Sequence, residues 1–194
     1  MYINKDIKYL VKISSAIASK KFNKLDDIIK ECKEKKIKYK KLYECILQVY
    51  LFCGFPSSIE GFKMLKKHYK GNHINNSVKN LNKSGMITFK KIYTDNYKKV
   101  IRNVEEMSKD LSDWMILEGY GKVLSRRGLT LKERELINVS ILSTNYFPVQ
   151  LYSHIKGSLN CGLSKANIER VIIETKEYNT KRNIKESLKL LKLI

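Results

Sequence analysis

Apolar residues recur at spacings of three and four along almost the whole chain, which is the pattern of amphipathic helices. No stretch alternates apolar and polar residues in the way a half-buried strand does. The sequence therefore predicts an all-α protein, with helices at 2–21, 24–36, 39–53, 56–70, 74–84, 95–107, 111–118, 131–144, 148–161, 165–178 and 181–193. Some ends are marked, because Thr130 and Glu133 have the spacing of a capping box.

An internal repeat organises this pattern. Shifting the chain by 126 residues aligns 10–66 with 136–192 without a gap, and 10 of the 57 aligned positions are identical. Each copy holds about four helices. We therefore predict a single domain over 1–194, in which 1–70 is a first repeat, 130–194 is a second repeat and 71–129 is a helical connector. The two degenerate four-helix repeats are expected to share one core.

The repeat shows where the copies differ chemically. Helical spacing places Glu135 on the inward stripe of one helix and His154 on the inward stripe of the next. Their counterparts in the first copy are Tyr9 and Ile28, so only the second copy carries a carboxylate and an imidazole facing the core. A Glu beside a His can transfer protons, since imidazole titrates near neutrality. The alternative is a structural pair in which the two side chains only satisfy each other.

No metal or cofactor is predicted. The three histidines, His68, His73 and His154, lack companion ligands at metal-binding spacing, and the chain has neither a Walker loop nor a GxGxxG motif. The four cysteines form no CxxC pair, and most of them lie within helical patterns, as buried free thiols do.

The net charge of +20 raises the possibility of a nucleic-acid partner. However, 33 of the 39 basic residues are Lys, and the first 100 residues contain no Arg, whereas phosphate recognition relies heavily on Arg. Together with abundant Asn and Ile, this composition is typical of an AT-rich coding bias, so we disfavour nucleic-acid binding. No apolar run approaches the ~18 residues of a membrane span. A cytoplasmic protein without a membrane partner is expected.

Residues 128–172 resemble the carboxymuconolactone decarboxylase family, part of the alkyl hydroperoxidase D-like superfamily. The segment Glu133-Arg134-Glu135-Leu136 matches the first block of the family pattern, and His154, Leu159 and Gly162 lie in the second. The stretches 42–62, with its Gly-Phe-Pro segment, and 111–128 are also similar to parts of family members. The resemblance implies the helical fold of this family and a homo-oligomer, commonly a trimer or hexamer.

The resemblance also implies a function. Glu135 and His154 match the acid/base residues of the family, so we expect cofactor-free proton transfer on a small anionic or lactone-like molecule, with Arg126 or Arg127 binding a substrate carboxylate. The peroxidase branch carries two cysteines seven and four residues before the His. Here those positions hold Phe147 and Gln150, which argues against a peroxiredoxin-type oxidoreductase.

A second hypothesis is a ligand-binding or interaction protein that kept the fold and lost catalysis. It is favoured by the missing dithiol and by the location of the Gly-Phe-Pro segment in the first copy instead of beside His154.

Overall fold

The computed structural model describes residues 3–71, 74 and 78–194, and within these ranges the chain is helical and contains no β-strand. The all-α prediction is therefore confirmed. The α-helices, in chain order, are α1 (Lys5–Ala18), α2 (Phe22–Glu34), α3 (Tyr39–His68), α4 (Leu81–Tyr93), α5 (Tyr97–Glu105), α6 (Lys109–Trp114), α7 (Leu131–Asn145), α8 (Pro148–Asn160), α9 (Lys165–Glu174) and α10 (Lys181–Lys192). Short 3₁₀ turns follow α4 and α9, and a π-helical segment, Met115–Leu124, continues α6.

The helix starts of the two copies are separated by the same 126 residues as the sequence repeat. The starts of α7, α8 and α9 each lie 126 residues after the starts of α1, α2 and α3. Gly54, at φ 75°, breaks α3, and the position 126 residues after it is Thr180, which caps α10. The Oγ atoms of Ser14 and Ser140, which are equivalent positions in the two copies, lie 2.6 Å apart. This contact brings equivalent positions of α1 and α7 together, as expected for two copies related by a pseudo-twofold axis.

One hydrophobic core spans both copies. Its fully buried members come from α1, α2 and α3 on one side and from α7, α8 and α9 on the other, and include Leu10, Ile29, Ile46, Val139, Ile155 and Ile172. Neither copy encloses this core alone.

The connector has a smaller core of its own. Phe89 and Ile92 of α4 pack with Tyr120 and Val123 of the π-helical segment. This unit lies against the second copy, since the side-chain amide of Asn160 in α8 donates to the backbone oxygen of Ile92 at 2.7 Å. The two copies are therefore unequal, because the second has an additional covering layer.

The predicted helix at 74–84 begins too early, because the described positions 74 and 78–80 are not helical and α4 runs over Leu81–Tyr93; positions 75–77 lie outside the described residues. The predicted helix ends at 84, whereas Gly85 lies inside α4. A Cβ atom at Gly85 would stand 2.2 Å from the backbone oxygen of Ile116, so glycine permits the close approach of α4 to the π-helical segment. The prediction at 111–118 missed the change to π-helical geometry that begins at Met115.

Among the described residues, α3 is the helix whose length and mean hydropathy would suffice to cross a membrane. It is interrupted at Gly54, and its first half contributes Leu42, Cys45, Ile46 and Val49 to the core. A helix that supplies the centre of a protein core has the same composition as a membrane span, which accounts for its apolar character.

Candidate functional site

Helix α7 places the first site residue. The predicted capping box is confirmed: the Thr130 hydroxyl accepts from the backbone N–H of Glu133, and the Glu133 carboxylate accepts from the N–H of Thr130. Beyond this start α7 passes through the centre of the protein and is buried on every side from Glu133 to Thr144. Polar side chains on α7 must therefore find partners inside the protein.

Glu135 and His154 are in direct contact, as the sequence predicts. Nδ1 of His154 lies 2.9 Å from Oε2 of Glu135. Glu135 is fully buried, and 8% of the His154 side chain reaches solvent. Within the described residues, Nε2 of His154 has no hydrogen-bond partner, yet it is not among the buried unpartnered atoms, so it belongs to the accessible part of the ring. The pair thus has one anchored nitrogen and one open nitrogen.

A glycine and a cluster of aromatic rings shape the surroundings of the pair. A Cβ atom at Gly157 would stand 2.8 Å from Oε2 of Glu135 and 2.6 Å from Ile92, so the absence of a side chain there lets α4 cover the carboxylate. The ring of Phe52 meets the His154 ring edge-on, with centroids 6.0 Å apart. These contacts exclude water from one side of the pair.

Four further buried polar residues, which the sequence pattern did not predict, extend from this pair. Nδ2 of Asn138 lies 3.1 Å from Oε1 of Glu135, and Oδ1 of Asn138 accepts from Gln48 at 2.6 Å. Gln48 Oε1 in turn accepts from Arg134 at 2.9 Å, and Arg134 donates to Glu44 at 3.0 Å. All four are fully buried. Their spacing on α3 and α7 gave no signal, because the equivalent positions in the other copy are also polar.

The two candidate substrate-binding arginines lie at the end of the connector. Arg126 chelates Glu44 through Nε and Nη2 at 3.0–3.2 Å, and its backbone oxygen accepts from Arg134. The structure therefore commits Arg126 to a buried ion pair instead of a substrate carboxylate. The next residue, Arg127, is exposed.

The first copy holds different groups at the equivalent positions. Tyr9 and Ile28 are both buried, and the Tyr9 hydroxyl donates to Glu31. Neither residue can exchange a proton with a ligand near neutral pH, because Ile28 has no titratable group and burial raises the pKa of Tyr9 above its usual range. Candidate proton chemistry is thus confined to the second copy.

The cysteine thiols are protonated near neutral pH. Burial raises the pKa of Cys32 to about 12 and that of Cys161 to about 11, and it also raises the pKa of Cys45 and Cys53. A thiol peroxidase needs a thiolate at its site. The two positions that align with the cysteines of the peroxidase branch hold Phe147 and Gln150, and neither side chain can supply a thiolate.

Two open surface depressions occur within the described residues, and neither is lined by Glu135 or His154. One, of about 480 Å³, lies beside the start of α7 and is lined by Lys91, Thr130, Leu131, Lys132, Asn160 and Cys161. The other lies within the connector, between α4, α5 and the π-helical segment. The pair is exposed to solvent through His154, 8% of whose side chain is accessible, and neither depression contains it. His73 lies outside the described residues.

Comparison with known proteins gives one curated relative. The chain is 27% identical over 169 residues to Peroxisomal protein 2 of Schizosaccharomyces pombe (strain 972 / ATCC 24843), covering 82% of this chain and 79% of the relative. No protein-family profile matches the chain. The resemblance to the carboxymuconolactone decarboxylase family thus stays a prediction made from the residues of 128–172.

Proposed function

We propose that this chain is a cofactor-free acid/base catalyst of the carboxymuconolactone decarboxylase type, acting on a small anionic, lactone-like molecule. The observation that supports this proposal most strongly is the 2.9 Å contact between Nδ1 of His154 and Oε2 of Glu135. A buried carboxylate that holds one imidazole nitrogen leaves the other free to take up or deliver a proton, an arrangement that recurs in general-base catalysis.

In this proposal His154 moves the proton and Glu135 orients the ring. The basic surface of a chain with net charge +20 attracts an anionic ligand. The exposed Arg127 is the candidate for binding the substrate carboxylate, and the Arg126 side chain binds Glu44. Assembly as a trimer or hexamer belongs to the same proposal and rests on the family resemblance.

Turnover of a carboxymuconolactone tests the proposal. The wild-type chain should release carbon dioxide faster than buffer, and His154→Leu and Glu135→Gln should each lower the rate at least ~100-fold. Ile28→Leu, at the equivalent position of the first copy, is the matched control and should retain the wild-type rate. A wild-type rate equal to buffer, at ligand concentrations that saturate binding, would reject catalysis.

The second candidate function is a ligand-binding or interaction protein without chemistry. It is favoured by the position of the two depressions, neither of which holds the pair. Under this alternative, calorimetry detects binding of the lactone without turnover, and His154→Leu leaves the affinity unchanged.

The relative bears on location. Its name describes a peroxisomal protein, which favours a peroxisomal site over the cytoplasmic one that the sequence predicts. Imaging of a fluorescent fusion beside a peroxisomal marker distinguishes the two: punctate overlap supports the peroxisome and diffuse signal supports the cytoplasm.

A further inference from the structure

We infer that Gln48 and Asn138 are positioning residues, which form a one-directional chain of hydrogen bonds that holds Oε2 of Glu135 against Nδ1–H of His154. Nε2 is then the unprotonated nitrogen. The catalytic use of this arrangement rests on the proposed function. The protonation pattern of the ring does not, because it follows from the donors and acceptors alone.

The direction of the chain is set at Arg134. A guanidinium only donates hydrogen bonds, so the atom of Gln48 that faces Nη1 of Arg134 at 2.9 Å must be the carbonyl oxygen. The Gln48 amide nitrogen therefore points the other way. It donates to the backbone oxygen of Arg134 at 2.8 Å and to Asn138 at 2.6 Å, which uses both of its protons.

Asn138 continues the hydrogen-bond chain in the same donor-to-acceptor direction. The atom that accepts from Gln48 must be Oδ1, so Nδ2 is the atom that faces Glu135 and His154. Nδ2 lies 3.3 Å from Nδ1 of His154 and 3.1 Å from Oε1 of Glu135, whereas Oε2 of Glu135 is the nearest partner of Nδ1 at 2.9 Å. Nδ2 donates to Oε1 of Glu135 at 3.1 Å, which leaves Oε2 for the imidazole. Hydrogen bonds to a carboxylate oxygen are stronger than those between neutral groups, so this contact fixes the orientation of the carboxyl group. Oε2 then accepts a hydrogen bond from Nδ1–H of His154.

The chain is specific to the copy that carries the histidine. Across the pseudo-twofold axis, Lys12 occupies the position of Asn138, and Glu174 that of Gln48. There Glu174 pairs loosely with Lys8, 3.8 Å away, and both side chains are partly exposed. In the copy that carries His154, by contrast, the amide side chains of Gln48 and Asn138 are fully buried between Arg134 and Glu135.

Nuclear magnetic resonance of the histidine nitrogens tests the inference. Long-range proton–nitrogen correlation spectra, recorded where the imidazole is neutral, report which ring nitrogen holds the proton, and the signals absent from His154→Leu assign His154. Wild type should show the Nδ1–H form as the major species. Asn138→Leu should lower the ratio of Nδ1–H to Nε2–H about tenfold, the effect expected for losing a hydrogen bond to a charged group.

Two further variants keep the inference falsifiable. Gln48→Leu, one residue further from the imidazole, should change the ratio in the same direction and less. Ser140→Ala removes a buried hydroxyl from the same helix outside the chain, and should leave the ratio unchanged. A wild-type spectrum dominated by Nε2–H, or an Asn138→Leu ratio equal to that of Ser140→Ala, would overturn the inference. Correct spectra without lactone turnover would reject only the proposed catalysis.

Discussion

Replacement of Glu44 by Gln is the most demanding test of the buried polar network. The Glu44 side chain is fully buried and accepts hydrogen bonds from Arg126 and Arg134 at 3.0–3.2 Å. Glu44→Gln keeps the shape, removes the charge and turns an amide N–H towards two guanidinium donors. Breaking one partner of a buried ion pair costs about 3–5 kcal/mol, because the remaining charges stay uncompensated.

Urea unfolding at neutral pH measures this effect. Since total stabilities are about 5–15 kcal/mol, the Glu44→Gln midpoint should fall markedly, and the melting temperature should fall by about 10 °C. Glu174→Gln is the matched control: it makes the same chemical change in a partly exposed pair with Lys8 and should cost less than ~1 kcal/mol. Equal, small losses in both variants would refute the expectation that the buried ion pairs of Glu44 with Arg126 and Arg134 stabilise the fold.

Three further predictions follow from local structure. Ser158→Ala should leave stability unchanged or raise it by up to ~1 kcal/mol in urea unfolding, because the buried Ser158 hydroxyl has no partner within the described residues. Gly157→Ala should lower stability by about 1–3 kcal/mol, since its Cβ would overlap the Glu135 carboxylate. The displaced carboxylate should also change the His154 signals in the nitrogen spectra. Hydrogen bonds from Lys67 and then His68 lower the pKa of Asp26, so their stabilisation is present above the unfolded pKa and is lost as pH falls through the folded value. The stability difference between wild type and Asp26→Asn should therefore shrink below about pH 4 in acid titrations followed by circular dichroism.

The repeat made much of the fold predictable. Helical spacing placed Glu135 and His154 on inward faces, and the comparison with Tyr9 and Ile28 showed that only the second copy has a carboxylate and an imidazole at these positions. Both conclusions depend on local periodicity, which the sequence carries directly.

The buried network could not be found in the same way. Asn138 and Lys12, and likewise Gln48 and Glu174, are polar in both copies, so the comparison between repeats does not distinguish them. Whether such a position is buried depends on the connector, which covers only one side of the molecule. That asymmetry is a property of the tertiary packing and leaves no periodic trace in the sequence.

The connector itself was predicted least well. A glycine in a helical pattern is an ordinary stop signal, yet Gly85 lies inside α4 because another backbone approaches it. The π-helical geometry after Trp114 likewise follows from how this segment packs against α4.

The central claim is that His154 moves a proton to or from a ligand, and solvent-deuterium exchange tests it most directly. A lactone carboxylate with an acidic C–H bond is incubated with the protein in deuterium oxide, and incorporation is followed by magnetic resonance. Wild type and Ile28→Leu should exchange the proton faster than buffer, and His154→Leu should fall to the buffer rate while unfolding at the same urea concentration or higher, because Ile occupies that position in the first copy. Exchange by folded His154→Leu at the wild-type rate, or none by wild type, would contradict the claim.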